Sequence, residues 1–153
     1  MNRRESVRLL TAGIVGMLVD ARHLLAATTS KNMTVYKSPT CGCCNAWVKH
    51  VRAGGYDVKA INVDDVTPFK EKYGVPLDLA SCHTGFIDGY AIEGHVPVDL
   101  IDKLLREQPK GAKALIVPGM PIGSPGMEVP GRKDAYNVIL VDNKGARSVF
   151  ARR

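Results

Sequence analysis

The chain is 153 residues long, with 45% hydrophobic and 24% charged residues, a composition typical of one soluble domain rather than of a disordered or fibrous protein. Its 21 Lys and Arg outnumber its 15 Asp and Glu, which gives a net charge of +6. The basic residues are scattered and only 6% of residues are aromatic, whereas nucleic-acid binding favours a clustered basic face with stacking rings. We therefore expect no nucleic-acid partner.

A signal peptide is predicted at the amino end, over residues 1–27. Arg3, Arg4 and Arg8 precede an apolar run at residues 9–19, and a basic segment followed by a short apolar one is typical of secretory signals. A spanning helix needs about 20 apolar residues, so we expect no permanent membrane anchor. Small residues at several positions each fit a signal-peptide cleavage site, so the position of cleavage is not assigned. Export predicts an oxidising compartment for the mature chain.

The first predicted elements are a strand and a helix. Residues 33–36 form an apolar, β-branched run that predicts a buried strand. The helix that follows has its apolar residues on one face: Trp47, Val48 and Val51. We expect this helix to run from Cys44, with Thr40 as its cap and Gly54 as its end. The turn between strand and helix carries three cysteines.

The next elements repeat the order of strand and helix. Residues 58–63 predict a second strand, and residues 67–73 a short helix closed by Gly74. Residues 86–92 predict a hairpin around Asp88-Gly89. Pro97 then opens a further helix.

This order of elements predicts an α/β, thioredoxin-like domain over residues 33–153, with a small central mixed sheet flanked by helices. Residues 117–132 contain four prolines and four glycines, which predicts an irregular loop insertion. Residues 136–150 predict a carboxy-terminal hairpin that extends the sheet or covers this loop.

Three cysteines at one helix start give the strongest chemical signal: Cys41, Cys43 and Cys44. The free amides and dipole of a helix start stabilise thiolates, which are good nucleophiles and good ligands for soft metals. The C-x-x-C pair alone favours thiol–disulfide exchange. The additional cysteine allows two or three sulfurs to bind one Cu(I) or Zn(II) ion, so redox and metal functions both stay open.

A fourth cysteine is expected to face this triplet. On a thioredoxin plan, Cys82 or His83 occupies the position of the proline that faces the C-x-x-C motif. We expect the strand before the hairpin to run beside the first strand, which would bring Cys82 to the triplet with metal-bridging sulfurs within about 4 Å of one another. The alternative is a small buried cysteine next to an exposed histidine.

Further candidate ligands lie at a helix entrance and in the irregular loop. His95 is equally consistent with a ligand and with a cap or surface residue, whereas His23 and His50 are not expected to ligate. Met120 and Met127 lie in the Pro/Gly-rich segment, and a long loop in a compact domain is usually functional. Thioethers bind Cu(I), so these methionines favour copper over zinc; the alternative is that they pack in the core.

Four blocks of the sequence resemble the CopG-type copper-resistance proteins, a family of exported, thioredoxin-like metal-binding proteins of Gram-negative bacteria. The blocks are Ser38-Pro39-Thr40-Cys41-Gly42-Cys43-Cys44, Ser81-Cys82-His83-Thr84, Glu93-Gly94-His95-Val96-Pro97, and Pro118-Gly119-Met120-Pro121 through Gly126-Met127-Glu128. The resemblance spans about residues 33–150. It implies a periplasmic protein that binds copper through cysteine thiolates, as single ions or as a multinuclear cluster. It also implies copper ions and other periplasmic copper-resistance proteins as partners.

Carried onto this chain, the resemblance implies one set of metal ligands: Cys41, Cys43, Cys44, Cys82, His83, His95, Met120 and Met127. The first hypothesis is an exported copper-binding protein of copper tolerance, either a Cu(I) sink or an oxidoreductase that interconverts Cu(I) and Cu(II). The second is a thiol–disulfide oxidoreductase in which Cys41 attacks and Cys44 resolves. The third is a zinc-stabilised module. The number of cysteines favours the first hypothesis over the second, and the methionines favour it over the third.

Overall fold

A computed structural model describes residues 31–153. The predicted signal peptide, residues 1–27, and His23 lie outside the described residues. Strands and helices follow one another in this order: β1 Asn32–Lys37, α1 Gly42–Ala53, β2 Asp57–Asn62, α2 Thr67–Tyr73, β3 His83–Ile87, β4 Tyr90–Glu93, α3 Val98–Glu107, β5 Ala112–Ile116, β6 Asn137–Asp142 and β7 Arg147–Arg152. No helix of the described segment has the length and apolar character needed to cross a membrane.

The seven strands form one mixed sheet in the order β2-β1-β3-β4-β5-β6-β7. β1 pairs with β2 and β4 pairs with β5 in parallel, and the other neighbours are antiparallel. The predicted α/β class with a mixed sheet is confirmed. β6 and β7 continue the sheet beyond β5. Of the two alternatives for the carboxy-terminal hairpin, extending the sheet or covering the irregular loop, the structure shows the first.

Helix α1 forms where the sequence predicts it, but its cap differs. Its buried face contains Trp47, Val48 and Val51, which pack into a core with residues of β1, β4 and α3. The expectation that Thr40 caps the helix is wrong: the Sγ atom of Cys41 accepts a hydrogen bond from the Cys44 amide at 3.3 Å. The Thr40 hydroxyl is exposed and instead lies 3.1 Å from the Ser38 hydroxyl.

The sequence reasoning missed strand β5. Its residues Ala114, Leu115 and Ile116 are fully buried, and the strand lies between β4 and β6. Helix α3 is the crossover that allows β4 and β5 to run parallel. The apolar run that forms β5 is short and directly precedes the Pro/Gly-rich segment, so it carries little periodic signal of its own.

Residues 117–136 join β5 to β6 as an irregular segment, with an isolated bridge between Val129 and Arg132. The segment is held by its own polar contacts and by a contact with the residues that precede β3. The Ile122 amide donates to the Asp134 carboxylate at 2.9 Å, and the Ser81 hydroxyl donates to the Gly119 carbonyl. The second contact ties the segment to the residues that precede β3.

Candidate metal centre

The cysteine triplet lies at the turn between β1 and α1. The Cys41 amide donates to the Ser38 carbonyl at 3.3 Å, which closes the turn after β1. Cys41 and Cys44 are joined by a disulfide bond, whereas Cys43 is a free thiol. The Cys43 sulfur lies 3.5 Å from that of Cys41, so the free thiol is in contact with the disulfide.

Cys82 lies against this triplet, as the sequence predicts. β3 runs antiparallel to β1 with His83 opposite Lys37, which places the residue before β3 beside the start of α1. The sulfurs of Cys82 and Cys43 are 3.9 Å apart, within the 4 Å limit expected from the sequence. The Cys44 sulfur also lies 3.7 Å from the Cys82 carbonyl oxygen.

Two fully buried histidines complete the cluster. His83 Nδ1 lies 3.3 Å and His95 Nε2 lies 3.2 Å from the Cys82 sulfur. Two groups of donor atoms, each within 4.8 Å of one another, therefore share Cys82: the four cysteine sulfurs, and the set Cys82, His83 and His95. The alternatives of an exposed His83 and a capping or surface His95 are wrong, because both rings are buried against Cys82.

The surroundings fix the orientation of both rings. His95 Nδ1 lies 2.8 Å from the Pro125 carbonyl oxygen, which can only accept, so this nitrogen carries the proton and Nε2 presents a lone pair to Cys82. The centroids of the His83 and Trp47 rings are 4.3 Å apart. His83 Nε2 is buried without a hydrogen-bond partner among the residues that the structure describes.

Burial keeps the donors of the second group uncharged. Desolvation, followed by the nearby Cys43, raises the pKa of Cys82 to about 12. Burial, with His95 second, holds the pKa of His83 well below its ordinary value, and burial also lowers the pKa of His95. At neutral pH the group consists of a thiol and two neutral imidazoles. A cation that binds Cys82 as a thiolate must therefore displace its proton.

The two methionines occupy different positions in the irregular segment. Met120 is 53% exposed and lines a surface pocket with Leu79 and Tyr136. Met127 is half-buried and follows Gly126, which packs closely against the backbone of Cys43. The segment around Met127 thus covers the start of α1, whereas Met120 faces solvent.

Sequence reasoning missed the contacts behind the candidate ligands. The Trp47 indole donates to the Val96 carbonyl at 2.9 Å, which joins α1 to the chain next to His95. The Pro125 carbonyl is a backbone group, so no side-chain pattern reveals it. The buried Lys70 and Glu93 carry a sequence signal, because a charged residue inside an apolar strand or helix face requires a partner.

Two solved structures named Copper resistance protein copG, forms 2 and 1, resemble this chain. Form 2 is 43% identical with a TM-score of 0.76, and the match covers 80% of this chain and 97% of the other. Form 1 is 42% identical with a TM-score of 0.76, and the match covers 82% of this chain and 98% of the other. The chain belongs to the CopG family. The resemblance stated from the sequence is confirmed.

A second comparison matches part of the segment that carries the candidate ligands. A family described as "Protein of unknown function, DUF411" also matches residues 79–127. Those residues include Cys82, His83 and His95, while the triplet lies before them. No curated protein sequence matches the chain.

Proposed function

We propose that this CopG family member is an exported copper-binding protein of copper tolerance, which holds Cu(I) through cysteine thiolates and histidine imidazoles. The observation that carries the proposal is the sharing of Cys82 by the four-sulfur group and the Cys82–His83–His95 group. Soft thiolates combined with imidazoles suit Cu(I) and Zn(II), and the likeness to copper resistance proteins favours copper.

Within each of the two donor groups, the distances fit a bound metal ion. A tetrahedral ion with metal–sulfur bonds of about 2.3 Å holds its sulfurs about 3.8 Å apart. The Cys43–Cys82 and Cys41–Cys43 sulfur pairs are 3.9 Å and 3.5 Å apart. The His83 and His95 nitrogens lie at 3.3 Å and 3.2 Å from the Cys82 sulfur, which suits the shorter metal–nitrogen bonds of about 2.0 Å. Cys43, Cys82 and the two histidines offer their donor atoms directly, whereas Cys41 and Cys44 become ligands only after their disulfide is reduced.

The disulfide gives the site two donor sets. With Cys41 and Cys44 oxidised, the thiols of Cys43 and Cys82 remain with the two histidines. Reduction adds two further thiols, enough sulfur for a multinuclear cluster. Interconversion of copper states follows from the same chemistry: two Cu(II) ions oxidise the Cys41/Cys44 dithiol, giving two Cu(I) ions, one disulfide and two protons.

The compartment, domain plan and accessory ligands belong to the same proposal. We propose that residues 1–27 direct export to the periplasm and that residues 33–153 act as one thioredoxin-like unit, supported by the adjacent order of β2, β1, β3 and β4. Met120 and Met127 are proposed as thioether ligands of incoming copper. Other periplasmic copper-resistance proteins would supply or accept the ion.

The decisive experiment is anaerobic titration of the reduced protein with Cu(I) against a strong chelator, with Zn(II) in parallel. Cys82→Ser and His95→Gln should each weaken Cu(I) binding by at least tenfold. His50→Gln is the matched control, because His50 Nε2 accepts from the Val98 amide at 3.3 Å and lies outside both donor groups. Wild-type affinity in a folded Cys82→Ser variant would overturn the proposal.

The methionines are tested by Met120→Leu and Met127→Leu made separately and together. Leu for Met in a core usually costs less than about 1.5 kcal/mol, so folding should survive. A loss of Cu(I) affinity or of copper-dependent redox response in a folded variant supports ligation. Unchanged copper binding in the folded double variant would leave the cysteines and histidines as the whole site.

One observation favours thiol–disulfide exchange as a second candidate function. The Cys41–Cys44 disulfide lies at the start of α1, where the Cys44 amide donates to the Cys41 sulfur at 3.3 Å, an arrangement that stabilises a leaving thiolate. Insulin reduction separates the candidates. Turnover at thioredoxin-like rates, lost in Cys41→Ser and accompanied by no copper retention, would replace copper binding with disulfide exchange.

A further inference from the structure

A buried ion pair lies directly behind the candidate ligands. Lys70 and Glu93 meet at 2.5 Å between Nζ and Oε1, with side chains only 5% and 0% exposed. Lys70 is the buried residue of α2, a position that a short amphipathic helix ordinarily fills with an apolar side chain. By contrast, the Lys103–Glu107 pair on α3 lies at the surface with side chains 38% and 44% exposed.

The Glu93 carboxylate holds both sides of the Cys82–His83 segment. Its Oε1 accepts from the Ser81 amide at 2.6 Å, immediately before Cys82. Its Oε2 accepts from the Thr84 hydroxyl at 2.7 Å, immediately after His83. Lys70 Nζ also donates to the Thr84 oxygen at 3.1 Å. One carboxylate thus brackets two candidate ligands.

The same carboxylate belongs to the chain that carries the third ligand. Glu93 is the last residue of β4, opposite Thr84 in the β3–β4 pairing, and His95 follows two residues later. The Gly94 amide donates to the His83 carbonyl at 3.1 Å. The hydrogen bonds of Glu93 therefore fix the separation between the Cys82–His83 segment and the chain that leads to His95.

Stability alone does not explain a buried ion pair at this place. Removing two charges from water is costly, and apolar residues of similar volume in place of such a pair are often neutral or stabilising. What an apolar pair cannot supply is a set of directional bonds to the Ser81 amide and the Thr84 hydroxyl. Partners of this kind behind metal ligands orient them, and their loss typically costs about 10–100-fold in metal affinity.

We propose that Lys70 and Glu93 are positioning residues of the copper site: their buried pair holds the Ser81–Thr84 segment so that Cys82, His83 and His95 converge. The inference rests on the proposed function. Glu93 orients the ligand segment through its hydrogen bonds, and Lys70 neutralises the buried carboxylate and shares its contact with Thr84. Neither residue binds the metal.

Two double variants separate orientation from charge. Lys70→Met/Glu93→Gln removes both charges but keeps an amide that can accept from the Ser81 amide and donate to the Thr84 oxygen. Lys70→Met/Glu93→Leu removes the same charges and every one of these bonds. Lys103→Met/Glu107→Gln removes an exposed ion pair from α3 and is the matched control. Each full-length protein is first checked for cooperative unfolding in guanidinium.

The readouts are Cu(I) affinity by chelator competition and the near-ultraviolet thiolate-to-copper absorption per bound ion. We expect the Leu variant to bind Cu(I) about 10–100-fold more weakly with altered absorption. The Gln variant and the control should stay close to wild type. Wild-type affinity and absorption in a folded Leu variant, or equal losses in the Leu and Gln variants, would overturn the proposal.

Thr84→Val is the deciding variant if the Leu variant does not fold, because at nearly constant volume it removes the hydroxyl that donates to Glu93 and accepts from Lys70. We expect a several-fold weaker Cu(I) affinity, and an unchanged affinity would overturn the positioning role. Failure of the proposed function has a different signature, because the wild-type protein itself would then retain no Cu(I) against the chelator.

Discussion

Gly126 should be intolerant of any side chain, because it lies where the irregular segment crosses the start of α1. A Cβ atom at this position would lie 2.8 Å from the Cys43 carbonyl oxygen and 2.8 Å from the backbone nitrogen of Trp47. Both are backbone atoms, which cannot rotate away. The residue also has a φ of +85°. In Gly126→Ala, the segment must therefore move away from α1.

Gly131 provides a matched control, because it shares the left-handed backbone of Gly126 but has no neighbouring atoms that a Cβ atom would contact. Gly131 has a φ of +73°, and a Cβ atom there meets nothing within 4 Å. Left-handed backbone costs an L residue about 1–2 kcal/mol, so Gly131→Ala should lose about that much unfolding free energy. Gly126→Ala adds an overpacking cost of about 1–3 kcal/mol. We expect Gly126→Ala to be the less stable variant by at least about 1 kcal/mol.

The displacement should also reach the candidate ligands. Pro125 precedes Gly126, and its carbonyl accepts from His95 Nδ1 at 2.8 Å. Moving the segment weakens this bond and frees the His95 ring, so Gly126→Ala should lower Cu(I) affinity by about tenfold, as the loss of a contact behind a metal ligand does. Gly131→Ala should leave copper affinity unchanged.

Guanidinium unfolding and Cu(I) competition on the two variants test this reasoning together. Equal losses of stability in Gly126→Ala and Gly131→Ala would refute the proposed collision. Wild-type copper affinity in Gly126→Ala, with the larger loss of stability present, would show that the Pro125 contact does not orient His95.

Three further predictions follow from the cluster. Reduction of the Cys41–Cys44 disulfide frees two thiols, so the reduced protein should bind more Cu(I) per chain than the oxidised protein in anaerobic titrations; equal capacity would contradict this. Because the pKa values of His83 and His95 are lowered in the folded protein, the unfolded chain takes up these protons at a higher pH than the folded protein does. Stability of the metal-free protein should thus be constant above pH 6.5 and fall below it, by up to about 1.36 kcal/mol per pH unit for each histidine, in denaturation series from pH 8 to 5. Trp47, the single tryptophan of the chain, lies 4.3 Å from the His83 ring; its fluorescence should fall on Cu(I) binding, and an unchanged signal at saturation would argue against copper at His83.

The sequence predicted the parts of the site that depend on local pattern. The triplet lies at a strand-to-helix turn because an apolar strand and an amphipathic helix flank it, and both periodicities are readable from the chain. The sequence also predicted that Cys82 lies close to the triplet. A hairpin strand placed beside β1 brings its first residues to the end of the sheet where the triplet lies. The Cys43–Cys82 sulfur distance of 3.9 Å confirms that placement.

The parts that were missed depend on tertiary contacts. Thr40 has the right residue type for a cap, but the Cys41 sulfur accepts from the Cys44 amide, and propensity cannot decide between adjacent polar residues. β5 is defined by its neighbours rather than by periodicity. The pairing of Lys70 with Glu93 joins residues 23 apart in the chain, so the two charges are separately visible in the sequence but their contact is not.

The cysteine and histidine candidate ligands come from three separate stretches of chain. Cys44 and Cys82 are 38 residues apart, and Cys82 and His95 are 13 apart. An unfolded chain loses this arrangement of donors, so an ion bound there acts as a ligand of the native state and shifts the folding equilibrium. At a free copper concentration 1,000 times the Kd, such linkage adds about 4.1 kcal/mol to the free energy of unfolding. The lifetime of the protein against proteases would then rise and fall with the copper supply, so its abundance could follow the metal without any change in synthesis.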